Sequence, residues 1–592
     1  MTRWKPSCVG LVQRLSASKL KELKLPLKKR IPLAPWQIVL LLSAYIGIVL
    51  NGAVFFRRNT ELGTTSLTLL AELGLVFTFT ALLLSLADLS GFIGRWLARV
   101  LIVLLLSISV LASYYMTFFN VVIGYGVVQA VLTTDVDLSK EAVGFGLFLW
   151  FFSLAILPLA LWWRFVHVRK NAVAGWWLRF KQVGGQIGLA LLSAAVFVAI
   201  AQHVNTRSDA ADVVGQDIGK ASIAAHTYVP SNWVAGLSMS ASNAWNSWTN
   251  IDQKTDPALK FHYSLSALAD NDVDDLVVVV VIGESARSSN FGLLGYERPT
   301  TPLLAAEKNL VAFKATSCNT STRLSLACMF VRPQAVIERG LQAPQVLEET
   351  VFSVFKKLGF SVELFAMQSE VWFYNSIKPD FYKIREVIAA DPANRGKPVL
   401  DSILVAELEA ALAKHTAAQT KGRHAIVLHT KGSHFSYTSR YPREFARFLP
   451  ECPGVDGACT KQQLINSYDN SLLYTDTFLH SIMKSLAGKK AVLIYTSDHG
   501  ESIDENRHFH ATPKPLAPAE QLDVPLIFWA SEPYLNANPA NKKAFEQLQQ
   551  AAKSSKTVKT EVGHANLFDS MLGCLGITSN NDGINDKYNL CH

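Results

Sequence analysis

Residues 276–285 read Leu276-Val-Val-Val-Val-Val-Ile282-Gly283-Glu284-Ser285, and this stretch decides how the second half of the chain is read. Its apolar run is too short to cross a membrane and too rich in β-branched residues for a helix. A strand buried on both faces has that composition. Similar runs follow at Ser361 to Ala366, His424 to His429, Ala491 to Thr496 and Val524 to Trp529, and helical stretches are predicted near 346–358, 398–414, 461–486 and 541–553. This alternation predicts an α/β domain whose mostly parallel sheet is covered by helices on both faces.

Open sheets of this class bind ligands beyond the carboxyl ends of their strands. The first run is followed by Gly283-Glu284-Ser285, and the third ends at His429, shortly before Gly432-Ser433-His434. The fourth is followed by Ser497-Asp498-His499-Gly500-Glu501-Ser502, with His508 and His510 a little further on. Carboxylates and imidazoles meeting at one sheet edge suit zinc, which takes nitrogen and oxygen ligands. One Asp-His pair is more often a cap or a turn; the coincidence on successive strand ends favours a metal site. A nucleophile beside it would gain from a metal that lowers its pKa. Ser317-Cys318-Asn319-Thr320-Ser321-Thr322-Arg323 offers hydroxyls just before a predicted helix, whose N-terminus adds positive potential. The residues alone leave Thr320, Ser321 and Thr322 as alternatives, and an N-cap cluster as the bland one.

Upstream the chain changes character. Apolar runs at about 36–56, 66–88, 97–118, 144–166 and 183–203 each approach the ~20 residues that span a bilayer. Residues 1–204 hold 19 of the 56 Lys and Arg but 7 of the 47 Asp and Glu, leaving 37 basic against 40 acidic residues, about −3, for the rest. The basic excess therefore belongs to the membrane segments and argues against nucleic acid as a partner. Nine of those cations precede the first run, and others (Arg95, Arg99, Arg164, Arg169, Lys170, Arg179, Lys181) fall in alternate loops. Short cytoplasmic loops carry such excess, so the N-terminus is predicted inside and everything after residue 204 outside. The resulting division is a cytoplasmic basic tail (1–35), a five-helix transmembrane domain (36–204), a juxtamembrane bridging segment (205–260) and an extracytoplasmic catalytic domain (261–592).

Trp233, Trp245 and Trp248 in the bridging segment suit either the membrane interface or packing on a domain. Of seven cysteines only Cys8 precedes the spans. Close spacing pairs Cys318 with Cys328 and Cys452 with Cys459, leaving Cys574 for Cys591, as expected in an oxidising compartment. Buried free thiols are the alternative.

GESARSSNFGLLGYERPTTP, SCNTSTRLSLACMF, HTKGSHFSYTSRYP, SYDNSLLYTDTFL, SDHGES and HATPKPLAPAEQLDVP, in this order behind five predicted spans, resemble the phosphoethanolamine transferases of the alkaline phosphatase and sulfatase superfamily. The resemblance implies that Glu284, Thr322, Asp498 and His499 hold zinc, as one or two ions, with Thr322 as covalent nucleophile. It further implies that His434 and His510, with His508 and Glu501 nearby, bind substrate phosphate or a second zinc. Asn375 and Lys378, in WFYNSIK, resemble phosphate contacts, although the spacing departs from the commoner pattern. Thr134 and Glu141 resemble a region that helps bind the lipid donor.

The implied reaction is ping-pong transfer of phosphoethanolamine from phosphatidylethanolamine to lipopolysaccharide at the outer face of a bacterial inner membrane, in the periplasm. NGAVFFRR, SEVWFYNSIKPDFYKIRE, NRGKPVLDSIL and the tail MLGCLGITSNNDGINDKYNLCH look more like the branch that modifies a Kdo sugar than the branch that modifies lipid A. Lipid A modification and phosphoglycerol transfer to a membrane-linked glycan are the alternatives. A sulfatase would need a CxPxR or SxPxR setting, which residues 318–330 lack. A receptor or transporter is poorly supported, since Glu72 is the main ionisable group within the spans.

Overall fold

The fully apolar run at 276–282 becomes the central strand of a seven-stranded sheet in the computed structural model. That structure describes residues 30–52, 74–78, 80–82, 91–133, 143–168, 176–207, 226, 228–249, 254–265, 275–340, 343–395, 399–417, 422–454, 459–503, 508–558 and 561–592. In chain order the strands are β1 (Val277–Gly283), β2 (Leu310–Thr316), β3 (Phe360–Ala366), β4 (Phe381–Lys383), β5 (Arg423–His429), β6 (Ala491–Ser497) and β7 (Asp523–Ala530). Their spatial order is β2-β7-β6-β1-β5-β3-β4, and β7 alone runs antiparallel to its neighbours.

Strand alternation makes β1 the divider between two cores. Val278, Val280 and Ile282 pack into one layer with Phe352, Phe355 and Phe568. Val277, Val279 and Val281 enter the other, with Tyr468, Leu472 and Leu479 from the long helix Lys461–Leu486. Neighbours on both sides fix the register: Val280 lies opposite Val427 of β5 and Ile494 of β6. Complete burial on both faces is why the sequence there shows no polar alternation.

Two strands depart from the sequence reading. β2 alternates buried and exposed positions, with Lys314 exposed, because it lies at a sheet edge. β4 has three residues and is largely exposed at the other edge. The predicted helix at 346–358 begins later, at Val351–Lys357, because Gln345–Val346 pairs as a short strand with Val336–Ile337. All three disulfides join the cysteines expected: Cys318–Cys328, Cys452–Cys459 and Cys574–Cys591.

In the first third, three described helices are long and apolar enough to cross a membrane: Trp96–Phe118, Phe145–Phe165 and Val183–Ile200. These match the third, fourth and fifth predicted spans. Their outward side chains are large and apolar, including Trp163 at 80% and Leu191 at 64% exposure, as lipid contact requires. The first predicted span is present as a shorter apolar helix, Trp36–Val49, and most of the second lies outside the described residues.

The bridging segment is no loose linker. Its helix α2 (Ser231–Thr249) packs on helix α1 (Tyr125–Thr133), which follows the third predicted span. Trp233 donates from Nε1 to Ser109 Oγ at 3.2 Å, and Asn51 exchanges hydrogen bonds with the backbone of Val229 at 2.8 and 3.0 Å. Of the three tryptophans Trp233 is the one seen packed, against the third predicted span; Trp245 is exposed, and the Trp248 side chain lies outside the described portion.

Candidate functional site

The carboxyl ends of β1, β5 and β6 deliver Glu284, the loop to His434, and Asp498-His499 to one place. β6 stops where Asp498 N–H donates to Gly283 O, directly after the strand register ends. The 430s loop then crosses Glu284 at very close range. A Cβ on Gly432, whose φ is +50°, would lie 2.6 Å from Glu284 O and 2.8 Å from its N, so the turn admits only glycine. Asp401 holds that loop by accepting from the Lys431 and Gly432 amides at 2.8 and 2.9 Å. Gly500 serves the other side, since a Cβ there would meet Glu520 O at 2.1 Å.

Helix α3 (Thr322–Cys328) presents its first residue to this edge. Thr322 Oγ1 donates to Glu284 Oε2 at 3.0 Å and lies 3.3 Å from His499 Nε2. The two alternative hydroxyls are directed elsewhere. Thr320 Oγ1 donates to Thr512 O at 2.5 Å, and Ser321 Oγ is buried towards Gly126 of α1.

Around Thr322, Glu284, Asp498, His499 and Glu501 are fully buried. His499 Nε2 lies 3.3 Å from Glu284 Oε1 and 3.4 Å from Asp498 Oδ2. His510 approaches Glu501 at 3.4 Å, its ring centroid 4.2 Å from that of His499 and 5.4 Å from that of His434. The backbone bends sharply to deliver His510, for Phe509 and Ala511 on either side both have left-handed φ, 70° and 66°. Predicted His434 and His510 are thus brought to the cluster. His508 shares a short strand with Phe509, paired to Ile503, and its side chain lies outside the described portion.

Burial and close charges shift the protonation of every group in this pocket. Burial, with Glu284 beside it, pushes Asp498 up to about 8, and burial pushes Glu501 to about 8. Against burial, which opposes it, His499 with His434 and His510 holds Glu284 well below the ordinary range. Against burial likewise, Asp498 and Glu284 raise His499 to about 10. Burial and the charge on His499 lower His510 to about 3, leaving a neutral imidazole with a free lone pair. Asp498 Oδ2, Glu501 Oε1 and His434 Nδ1 are buried without hydrogen-bond partners. Unsatisfied carboxylate oxygens beside the neutral imidazoles of His434 and His510 are what a bound cation resolves. Ligand atoms of Glu284, His499 and His510 lie within 4.8 Å of one another, so the donor set fits a metal ion. Glu363, His415 and His424 are also mutually close, but they sit towards the amino ends of β3 and β5, where His415 meets Glu363 and His424 meets Ser361, each at 2.8 Å.

Other predicted residues lie apart from this cluster. Lys378 ends helix α4 (Val371–Ile377) and pairs with Glu349 at 2.7 Å, while Asn375 is exposed on the same helix. Thr134 and Glu141 lie outside the described residues. One residue at the centre escaped the sequence reading. Gln368, just past β3, donates from Nε2 to Glu284 Oε2 at 2.9 Å and to Thr430 O at 2.7 Å. Its position at the end of a predicted strand was the signal that could have found it.

Residues 277–577 match the Sulfatase family, and residues 77–205 match the family described as Phosphoethanolamine transferase EptA/EptB. The Kdo(2)-lipid A phosphoethanolamine 7''-transferase of Escherichia coli is 44% identical over 570 residues, covering 93% of this chain and 96% of that protein. The phosphoethanolamine transferase EptA of Escherichia coli is 27% identical over 557 residues, 91% of this chain and 93% of that one. Among solved structures, the integral membrane lipooligosaccharide phosphoethanolamine transferase A of Neisseria meningitidis superposes with a TM-score of 0.73 at 26% identity, over 94% of this chain and 98% of that chain.

Proposed function

This chain belongs to the phosphoethanolamine transferase family, and we propose that it moves phosphoethanolamine from phosphatidylethanolamine to a Kdo sugar of the lipopolysaccharide inner core. The observation that carries this reading is the Thr322 hydroxyl, set 3.0 Å from Glu284 and 3.3 Å from His499 at the edge of a buried cluster of carboxylates and imidazoles. The choice of a Kdo acceptor follows the relative that shares 44% identity with this chain, against 27% for the EptA relative.

Transfer takes two displacements. Thr322 Oγ1 forms a bond to the donor phosphorus as the bond to the diacylglycerol oxygen breaks, and diacylglycerol leaves with a proton. An acceptor hydroxyl then forms its own bond to phosphorus, the Thr322 ester breaks, and the hydroxyl is restored. Glu284, by accepting the Thr322 hydrogen bond, orients the attacking oxygen; Gln368 and Ser285 hold Glu284 in turn. In this reading His434 and His510, beside Glu501, bind the phosphoryl oxygens, which their closeness to each other and to His499 supports. Zinc is the ion that suits this set, held by Glu284, Thr322, Asp498 and His499. When bound, it would supply the charge that lowers the hydroxyl pKa and offsets charge on attacking and leaving oxygens.

In this reading the basic tail is cytoplasmic, the spans cross the inner membrane, and residues 261–592 face the periplasm. The test is fragmentation mass spectrometry of lipopolysaccharide from cells with and without the protein. Added phosphoethanolamine on the Kdo-containing fragment is expected; addition confined to lipid A would overturn the acceptor.

A further inference from the structure

Arg323 directly follows the proposed nucleophile, on the exposed side of α3, and nothing in the transfer chemistry above uses it. Its guanidinium carbon lies 5.0 Å over the Trp372 ring, a stacked geometry that holds the group without occupying its five N–H donors. Trp372 is itself fixed by donating its Nε1–H to Glu370. Neighbouring cations are already committed: Lys514 to Glu338, Lys378 to Glu349, Lys356 to Asp380 and Arg332 to Glu348. Arg323 is half buried and makes no hydrogen bond or close ion pair among the described residues; its charge reaches the Glu370 carboxylate, which accepts from Trp372 Nε1. A guanidinium with unused donors, one residue along the helix from Thr322, is suited to a planar oxyanion.

The charge around it gives such a group a purpose. The chain beyond residue 204 carries about −3 overall, so no long-range field draws an anion here. A metal held behind Thr322 would serve the transferred phosphoryl group, so a separate anionic group on the acceptor calls for a cation of its own. We propose that Arg323, braced by Trp372, is the subsite that binds an anionic oxygen group of the acceptor, a sugar carboxylate or a phosphate monoester, and so sets which hydroxyl faces the Thr322 ester. This rests on the transferase reading above and names the acceptor chemistry that the site selects.

The test measures acceptor kcat/KM for the detergent-purified full chain and its Arg323→Gln variant with three acceptors: native Kdo-lipid A, the same molecule with carboxylates methyl-esterified, and the same molecule with phosphates removed. In a ping-pong reaction this parameter is independent of the donor step. Losing a charge-assisted bond should cost Arg323→Gln about tenfold to a hundredfold on the native acceptor. That loss should vanish with whichever neutralised acceptor lacks the partner group, identifying carboxylate or phosphate. Because each comparison is made within one protein preparation, partial misfolding cancels. Equal losses on all three acceptors, or no loss on the native one, overturn the subsite. Failure of the wild type to transfer to any acceptor overturns instead the transferase reading, and the subsite with it.

Discussion

Gln368→Met removes an amide that the active-site geometry depends on and keeps nearly the same volume. In the wild type Gln368 Nε2 bridges Glu284 Oε2 at 2.9 Å and Thr430 O at 2.7 Å, both sites buried. The substitution leaves Glu284 with Ser285 at 2.7 Å and Thr322 at 3.0 Å, and deprives the Thr430 carbonyl of this donor. A bond to a charged group is worth about 1.5–3 kcal/mol and a neutral one about 1 kcal/mol, so the metal-free protein should lose roughly 2–4 kcal/mol. In a domain of this size that lowers Tm by roughly 3–6 °C. Since Glu284 would also be freer to rotate, zinc affinity should fall about tenfold to a hundredfold, as when a group orienting a ligand is lost. Competition against a fluorescent chelator measures the affinity, and differential scanning fluorimetry with and without zinc measures the stability. Zinc affinity within twofold of wild type would refute the claim that Gln368 positions Glu284 for a metal.

Thr322→Ala should abolish transfer and the phosphoethanolamine adduct that intact-protein mass spectrometry detects with donor alone; an adduct that persists would move the nucleophile to Thr320 or Ser321. Gly432→Ala places a Cβ within 2.6 Å of the Glu284 carbonyl at a left-handed φ, so it should cost at least about 2 kcal/mol and depress activity more than stability, read by melting and turnover together. Asp498→Asn should lower bound zinc in elemental analysis in step with activity, and chelation of the wild type should be reversed by zinc. Peptide mapping without reductant should recover the Cys318–Cys328, Cys452–Cys459 and Cys574–Cys591 links from protein made in cells, and free thiols at all six would contradict the periplasmic assignment.

Central strands were legible because full burial leaves a continuous apolar run, as in Val277–Gly283, and the fold class followed. Edge strands were not: β2 needs apolar residues on one face only, and β4 is three residues long. The site was legible where the chemistry lies directly after a strand, which gave Glu284, Asp498 and His499. It was less so where tertiary placement decides. WFYNSIK carries Asn375 and Lys378 in family-like order, yet the left-handed turn at Lys378, φ 52°, directs its amine to Glu349. The choice among Thr320, Ser321 and Thr322 depends on where each hydroxyl points, which only packing against Thr512, α1 and Glu284 determines.

That packing also brings the candidate site close to the membrane part of the chain. Gly124 and Gly126 flank the start of α1, just after the third predicted span. A Cβ on Gly124 would meet Pro513 Cγ at 2.6 Å, and one on Gly126 would meet Ser321 Oγ at 3.3 Å and Ala511 Cβ at 3.5 Å. Phe119 packs at a tilt on Phe509 with centroids 4.8 Å apart, and Phe509 meets Phe435 edge to face at 4.9 Å. The residues touched are the immediate neighbours of Thr322, His510 and His434. Missing side chains at two glycines therefore allow a membrane-proximal helix to form one wall of the pocket. Thr322 is thereby fixed relative to the spans by direct contact, where a catalytic domain on a free tether would have to search for the bilayer. Under the proposed transfer, restricting that search would be an entropic gain for both displacements, since donor and acceptor would be lipids presented from the same surface.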